Sequence, residues 1–192
     1  MRLVLASTSP QRADLLASLR IEFTQMSPDV DEMALPGELP ALQVERLARA
    51  KAGVVAQPNQ VVLGADTLVV LDGISIGKPS HAEEARGILR RLSGVTHEVV
   101  TGVAVATWDE GPRLVSGVDS TLVTMLDLTD EEIEDYVATS EPMGRAGAYA
   151  IQGLGATLIR AVDGSPSNVA GLPLHTVARM LRAAGIAIPA AI

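Results

Sequence analysis

Apolar and polar positions follow two different rhythms along the chain, and the changes of rhythm mark out the elements. A short apolar run, residues 2–6, stops at Ser7, Thr8 and Ser9 and reads as a buried strand. Pro10 to Leu19 then follows a helical pattern, with Ser9 as N-cap and Pro10 at the first helical position, where the missing N–H has no intrahelical partner to lose. Residues 24–38 are polar, acidic and marked by prolines, and read as a loop. Helical spacing returns from about Leu39 to Ala56. The stretch VVLGADTLVVLDG reads as a strand with a break, or as a pair of strands. Ser80 and Glu83 stand at capping-box spacing before a helix that runs to about Leu92.

Residues 96–107 and 113–126 read as two longer strands joined by the turn WDEGPR. Thr129 and Glu132 make a second capping box, for a helix through Ala138. Residues 140–156 are rich in glycine, GATLIRAV reads as a strand, and Leu172 to Ala184 as a last helix. Helices and strands interleave around one hairpin. That order predicts an α/β fold with a central mixed sheet flanked by helices, in a single domain over residues 1–192 with no linker.

Composition narrows the chemistry. Apolar residues make up 47% of the chain and aromatics only 2%, so the core must be built from Val, Leu, Ile and Ala. There is no cysteine, which excludes disulfides, thiolate metal sites and cysteine nucleophiles. Three scattered histidines argue against a histidine zinc site. A formal charge of −8 argues against duplex nucleic acid as a partner, because that ligand wants a basic face. No apolar stretch approaches membrane-spanning length, and a cytoplasmic setting is expected. The two lysines, Lys51 and Lys78, stand out against thirteen arginines: either codon bias and chance left them there, or they mark positions that need a compact, movable charge.

Several residues invite a chemical reading beside a structural one. Asp66 lies in VVLGADTLVV with apolar neighbours on both sides; it either caps a turn between two strands or serves as metal ligand or general base at a strand end. On a helix, Val44, Leu47, Ala48, Lys51, Val54 and Val55 fall on one stripe, so Lys51 either snorkels over an apolar face or reaches inward to an anion. Lys78, in GISIGKPS, fails the phosphate-loop test: Gly73 and Gly77 are one residue too close, and Pro79 stands where a Ser or Thr would hold magnesium. It remains a candidate point charge for a phosphate. Asp29, Asp31 and Glu32 are either a solvated acidic run or, with Asp66, oxygen ligands of the kind magnesium prefers. GRAGAYAIQG, with Tyr149 and Gln152, is either turn chemistry or a wall that reads a nucleobase edge. Taken together, the set suits a polyphosphate ester with a divalent metal.

The same residues carry a family likeness over nearly the whole chain. LASTSPQR, VDE at 30–32, Lys51-Ala52, GADTLVV, IGKP, LSGVTHEVVTGVAV, SEPMGRAGAYAIQG and NVAGLPL resemble, in order, the blocks of the Maf family of nucleoside triphosphate pyrophosphatases. The resemblance implies a two-lobed fold similar to the inosine triphosphatase fold, with a cleft. It implies hydrolysis of the α–β phosphate bond to a nucleoside monophosphate and pyrophosphate, a divalent cation (Mg2+, Mn2+ or Co2+) and a cytoplasmic homodimer. The family is linked to arrest of cell division and to clearing modified nucleotides.

Carried over by position, the resemblance makes Asp66 the general base and a metal contact, and Glu32 a metal-site acid. Arg12, Lys51, Lys78, Ser7 and Ser9 become phosphate-binding groups. Gln11, Thr67 and Gln152 become determinants of base choice. AYAIQG resembles the branch acting on dTTP and UTP rather than the one acting on 7-methylguanosine triphosphate. Gln11 departs from the arginine usual in that branch, and Gly144-Arg145 from an acidic residue and a lysine. The expectation is that Arg12, Glu32, Lys51, Asp66 and Lys78 meet around one solvated groove. The other functions weighed are a nucleotide-binding regulator of division with incidental hydrolysis, and a phosphatase releasing the γ-phosphate.

Overall fold

A computed structural model describes residues 1–108 and 112–189. The strands are β1 (Arg2–Ala6), β2 (Thr24–Met26), β3 (Gln60–Leu71), β4 (Ile74–Ile76), β5 (Thr96–Trp108), β6 (Pro112–Met125) and β7 (Ile159–Asp163). The helices are α1 (Pro10–Ala17), α2 (Pro40–Val55), α3 (Ala82–Leu92), α4 (Asp130–Ala138), α5 (Pro166–Val169) and α6 (Leu174–Ala183). The strand order is β2-β1-β3-β5-β6-β7, with β4 paired to β3. β1 runs parallel to β2 and β3, whereas β3/β4 and β6/β7 are antiparallel. The sheet is therefore mixed and flanked by helices, as the interleaved pattern predicts.

Two compact units divide the chain, each assembled from distant segments. The first comprises Met1–Asp66, Thr101–Asp119 and the segment from Gly171 onward. Strand alternation gives it two cores. Leu3, Leu5, Val61, Leu63 and Ala65 face Leu16 of α1 and Val177 and Leu181 of α6. Val4, Ala6 and Val62 face Ala48, Ala52 and Val55 of α2. The buried stripe of α2 is Val44, Leu47, Ala48, Lys51, Ala52 and Val55. Val54, which the helical spacing put on this stripe, is 56% exposed, and Ala52 takes its place.

Helix α2 approaches the sheet unusually closely. A Cβ built on Gly64 of β3 would stand 2.7 Å from the Ala52 nitrogen and closer still to the Ala48 carbonyl oxygen. On Gly102 of β5 it would stand 2.6 Å from the Glu45 nitrogen and overlap the Val44 carbonyl. Helix backbone thus rests on strand backbone at two places.

The second unit comprises Thr67–Val100 and Ser120–Ala170. Its core packs α3 (Ala85, Ile88, Leu89, Leu92) and α4 (Ile133, Tyr136, Val137) on Val69, Ile76, Val99, Val123 and Met125.

Several boundaries differ from the sequence reading. Thr24–Met26, read as loop, is an edge strand of three residues whose register on β1 pairs Val4 with Thr24. It is held by backbone pairing with β1 and by Gln25 Nε2, which donates to the Ser9 carbonyl at 3.4 Å, and three residues are too few to show an alternation. β3 is continuous over 12 residues, so Asp66 lies inside a strand and not at a break. The cap of α3 sits one residue later than expected: His81 accepts from the Glu84 N–H, while Ser80 donates to the Glu84 carboxylate. A 3-10 helix over Gly153–Leu158 precedes β7, which therefore starts at Ile159. Helix α5 was not anticipated, and α6 starts at Leu174, after Pro173. Thr129 and Glu132 form the expected reciprocal box. The middle of the turn WDEGPR, residues 109–111, lies outside the described residues.

Candidate active site

The first unit brings Arg12, Glu32, Lys51 and Asp66 together from the segments that follow β1 and β2, from α2 and from β3, and the carboxyl end of parallel strands is where α/β proteins place ligands. β1 stops at Ala6, opposite Gly64, and β3 continues past it to Asp66. Strand alternation gives Val62, Gly64 and Asp66 the same face, toward α2. Because Gly64 lets α2 sit so close, Lys51 on its buried stripe reaches the aspartate: Lys51 Nζ donates to Asp66 Oδ1 at 2.7 Å. The same ammonium lies 2.7 Å from Glu32 Oε1, in the loop after β2. Lys51 therefore points inward and does not snorkel. The side chains of Lys51 and Asp66 are 6% and 10% exposed, and Glu32 is 58% exposed, so the buried pair opens to solvent through the glutamate.

Beside this triad, the turn after β1 leads into α1. Ser9 caps the helix, accepting from the Arg12 N–H at 3.4 Å. The Ser7 hydroxyl accepts from the Ser9 N–H at 3.2 Å and from Arg12 Nη1 at 3.4 Å. Ser9 donates to Gln11 Oε1 at 3.1 Å, so Gln11 is folded back onto the cap. Arg12 Nε donates to the Gly171 carbonyl at 2.9 Å, which fixes the guanidinium from the far end of the chain. Burial pulls the Arg12 pKa below its ordinary value, and the charges of Asp66 and Glu32 pull it back up. The arginine thus feels both carboxylates.

Two cations, two carboxylates, two serines and a helix N-terminus form one charged cluster. It offers donors to an anion, which an acidic chain must concentrate locally. It also offers two oxygen ligands. Among the described residues no group of three or more His, Cys, Asp or Glu side chains is poised for a metal. A hard cation such as magnesium often takes only one or two protein carboxylates and fills its shell with water and phosphate oxygens. Glu32 Oε1 and Asp66 Oδ1, both in contact with one ammonium, fit that mode of binding.

Of the other candidates, Asp31 is exposed and accepts from the Met33 N–H at 2.9 Å, and Asp29 is exposed. Lys78, Thr67 and Gln152 belong to the second unit. Lys78 is exposed and follows Gly77, whose carbonyl accepts from the Gly147 N–H at 3.2 Å. Thr67 is half-buried next to Asp66 on β3, and Gln152 is exposed at the start of the 3-10 helix.

The second unit also holds groups that sequence reasoning passed over. His97 Nε2 and the Tyr149 hydroxyl are 2.8 Å apart in a buried edge-to-face pair. Burial lowers the His97 pKa to about 4, and it raises that of Tyr149. Asn168 Nδ2 donates to the Val99 carbonyl at 2.9 Å and to Thr121 Oγ1 at 3.0 Å. His97 stands between Thr96 and Glu98 in THEVV, so no break in an apolar run singles it out.

The family model described as Maf-like protein matches residues 2–184. A dTTP/UTP pyrophosphatase of Anaeromyxobacter dehalogenans (strain 2CP-C) is 50% identical over 189 residues, which span 98% of this chain and 96% of that protein. A dTTP/UTP pyrophosphatase of Symbiobacterium thermophilum is 48% identical over 189 residues, 97% of this chain and 96% of that one. Among solved structures, the Staphylococcus aureus Ham1 protein aligns over 95% of this chain and 97% of its own with a TM-score of 0.50, at 14% identity, a likeness of fold alone.

Proposed function

The chain belongs to the Maf family, and from that premise we propose that it is a nucleoside triphosphate pyrophosphatase acting on dTTP and UTP. The observation that carries this reading is Lys51, held between Asp66 and Glu32 beside Arg12 and the N-terminus of α1. Relatives similar over nearly the full length carry that activity in their names.

The chemistry follows from the geometry. A water oxygen bonds to phosphorus as the bond to the pyrophosphate leaving group breaks, and Asp66 takes the water proton. Negative charge shifts onto the leaving group. Arg12 and Lys51 offset it, and the Ser7 and Ser9 hydroxyls with the first amides of α1 orient the phosphates. The resemblance assigns Lys78 to the phosphates as well, and Gln11, Thr67 and Gln152 to base choice. Glu32 and Asp66 would hold a divalent cation, which supplies charge neutralisation on the phosphates. Lys51, which contacts both of those carboxylates, has three N–H donors and would have one to offer substrate.

The same reading takes the protein as a cytoplasmic homodimer. No helix among the described residues is long and apolar enough to cross a membrane.

Product analysis tests the activity. Incubated with dTTP or UTP and Mg2+, Mn2+ or Co2+, the protein should release monophosphate and pyrophosphate in equal amounts. Diphosphate and orthophosphate instead would mean γ-phosphate release and would overturn the reading. In the same panel, Gln11→Arg should shift the preference among bases.

A further inference from the structure

The loop that carries Gln152 is irregular, yet it is tied down by side chains from a helix and its C-terminal turn. Tyr136, on the buried face of α4, accepts the Ala150 N–H at 3.1 Å through its hydroxyl oxygen. The same hydroxyl donates to the carboxylate of Glu141. A phenol has one proton to give and lone pairs to accept with, so one oxygen serves both bonds. Glu141 in turn accepts from the Leu154 N–H at 3.3 Å and the Gly155 N–H at 2.8 Å, one on each carboxylate oxygen. The two anchor points, Ala150 and Leu154–Gly155, bracket Ile151, Gln152 and Gly153.

Glu141 is itself held. Its N–H donates to Thr139 Oγ1 at 3.1 Å, and its carbonyl accepts from Arg145 Nε at 2.9 Å. Thr139 Oγ1 donates to the Tyr136 carbonyl at 2.6 Å, which links the arrangement back to α4.

The fit leaves no room for side chains between loop and clamp. A Cβ on Gly153, which has φ +73°, would overlap Glu141 Oε1. A Cβ on Gly155 would stand 2.6 Å from the Tyr136 hydroxyl oxygen and overlap the Ala150 carbonyl. Upstream, Ala148 holds a left-handed φ of +56°, a conformation that a residue with a Cβ adopts only when its surroundings impose it. Burial and the Glu141 charge both keep the Tyr136 hydroxyl protonated, and so able to donate.

We propose that Tyr136 and Glu141 are positioning residues for base selection: their linked hydroxyl and carboxylate hold the backbone on both sides of Gln152 and so fix the side chain that reads the nucleobase edge. This deepens the proposed function and rests on the base-reading role given there to Gln152. The loop makes no strand pairing of its own around Gln152, so the clamp supplies the rigidity that a reader of hydrogen-bond patterns requires. A loose reader accepts wrong partners, because discrimination comes from leaving them unpaired.

The experiment compares the full-length protein with Tyr136→Phe and Glu141→Gln. Kinetics are measured with dTTP, UTP, dGTP and ATP, and thermal melting with each variant. Tyr136→Phe deletes only the hydroxyl, and Glu141→Gln alters a half-buried carboxylate on the protein's periphery, so the second carries the test if the first does not fold. Each variant should lose about tenfold or more of the parent's selectivity between pyrimidine and purine triphosphates, an amount typical of one lost discriminating contact. The loss should fall on KM for the pyrimidine substrates more than on kcat. Simple destabilisation would lower activity on all four substrates alike. Folded variants that keep the parent's selectivity within twofold would overturn the inference while leaving the activity standing. A parent protein that turns over none of the four would overturn the proposed function, and the inference with it.

Discussion

The two units bury polar chemistry in opposite ways. The first takes charge out of water: Lys51 and Asp66 are nearly covered, and Arg12 is desolvated beside them. The second keeps its ion pairs, Arg86–Glu134 and Arg90–Asp130, on the surface, and fills its interior with neutral groups, His97 with Tyr149 and Asn168 with Thr121. A buried ion pair is a poor source of stability, since desolvation consumes most of the attraction. Its presence in one unit points to chemistry there, where charge must be ready before substrate arrives. A neutral hydrogen-bonded interior gives rigidity without that cost, which is what the base-reading role proposed for the Gln152 loop of that unit requires.

The strongest way to break this contrast is Asp66→Asn. If the buried charge is catalytic, kcat should fall by roughly 10^2 to 10^4, the usual range for a lost general base. Affinity for a non-hydrolysable triphosphate should stay near the parent's. Turnover at the parent rate would remove Asp66 from the mechanism. Next comes Lys51→Met, which strands a covered carboxylate and should cost about 3 to 5 kcal/mol in urea unfolding. Combining it with Asp66→Asn should restore part of that loss, since the stranded charge is gone.

In the second unit the sensitivity is to acid. His97 is held neutral, with its pKa lowered to about 4. Folding stability from this group is fully present above the unfolded histidine pKa, near 6.5, and is lost as pH falls through 4, because the unfolded chain then binds a proton that the folded one refuses. The loss should reach roughly 3 kcal/mol at pH 4. His97→Phe should flatten that limb of the stability–pH curve, and an unchanged limb would assign it to other groups. The smallest effect belongs to the surface: Arg90→Ala should leave the melting midpoint within error of the parent's, because exposed pairs contribute little. A clear drop would show that the second unit leans on charge after all.

Much of this was legible in the sequence because it repeats with a period. The stripe that includes Lys51 and the apolar run that includes Asp66 announced a helix and a strand, and each singled out one charged residue within it. Glu32 was legible only as one of three acids in a loop, Asp29, Asp31 and Glu32; an acidic run has no period that tells which of them turns inward to Lys51. The break expected in VVLGADTLVVLDG is absent: Gly64, a residue that permits a bend, is there for the approach of α2, and the strand continues through it past Asp66. Strand β2 escaped for the opposite reason: three residues, Thr24, Gln25 and Met26, are too short a run to show a period. The Tyr136–Glu141 clamp was invisible, since its bonds join side chains to amides up to 14 positions away in a segment with no rhythm.

Gly64 and Gly102 do more than save space. A methyl group at either position would act as a shim, lifting α2 off the strands, and an ammonium at the end of a four-carbon stem has little slack to follow. The distance over which Lys51 neutralises its partner is thus written into two positions that carry no side chain at all. A library that randomises only polar residues would never find them, whereas tolerance to alanine at 64 and 102 would report directly on how finely that reach is set.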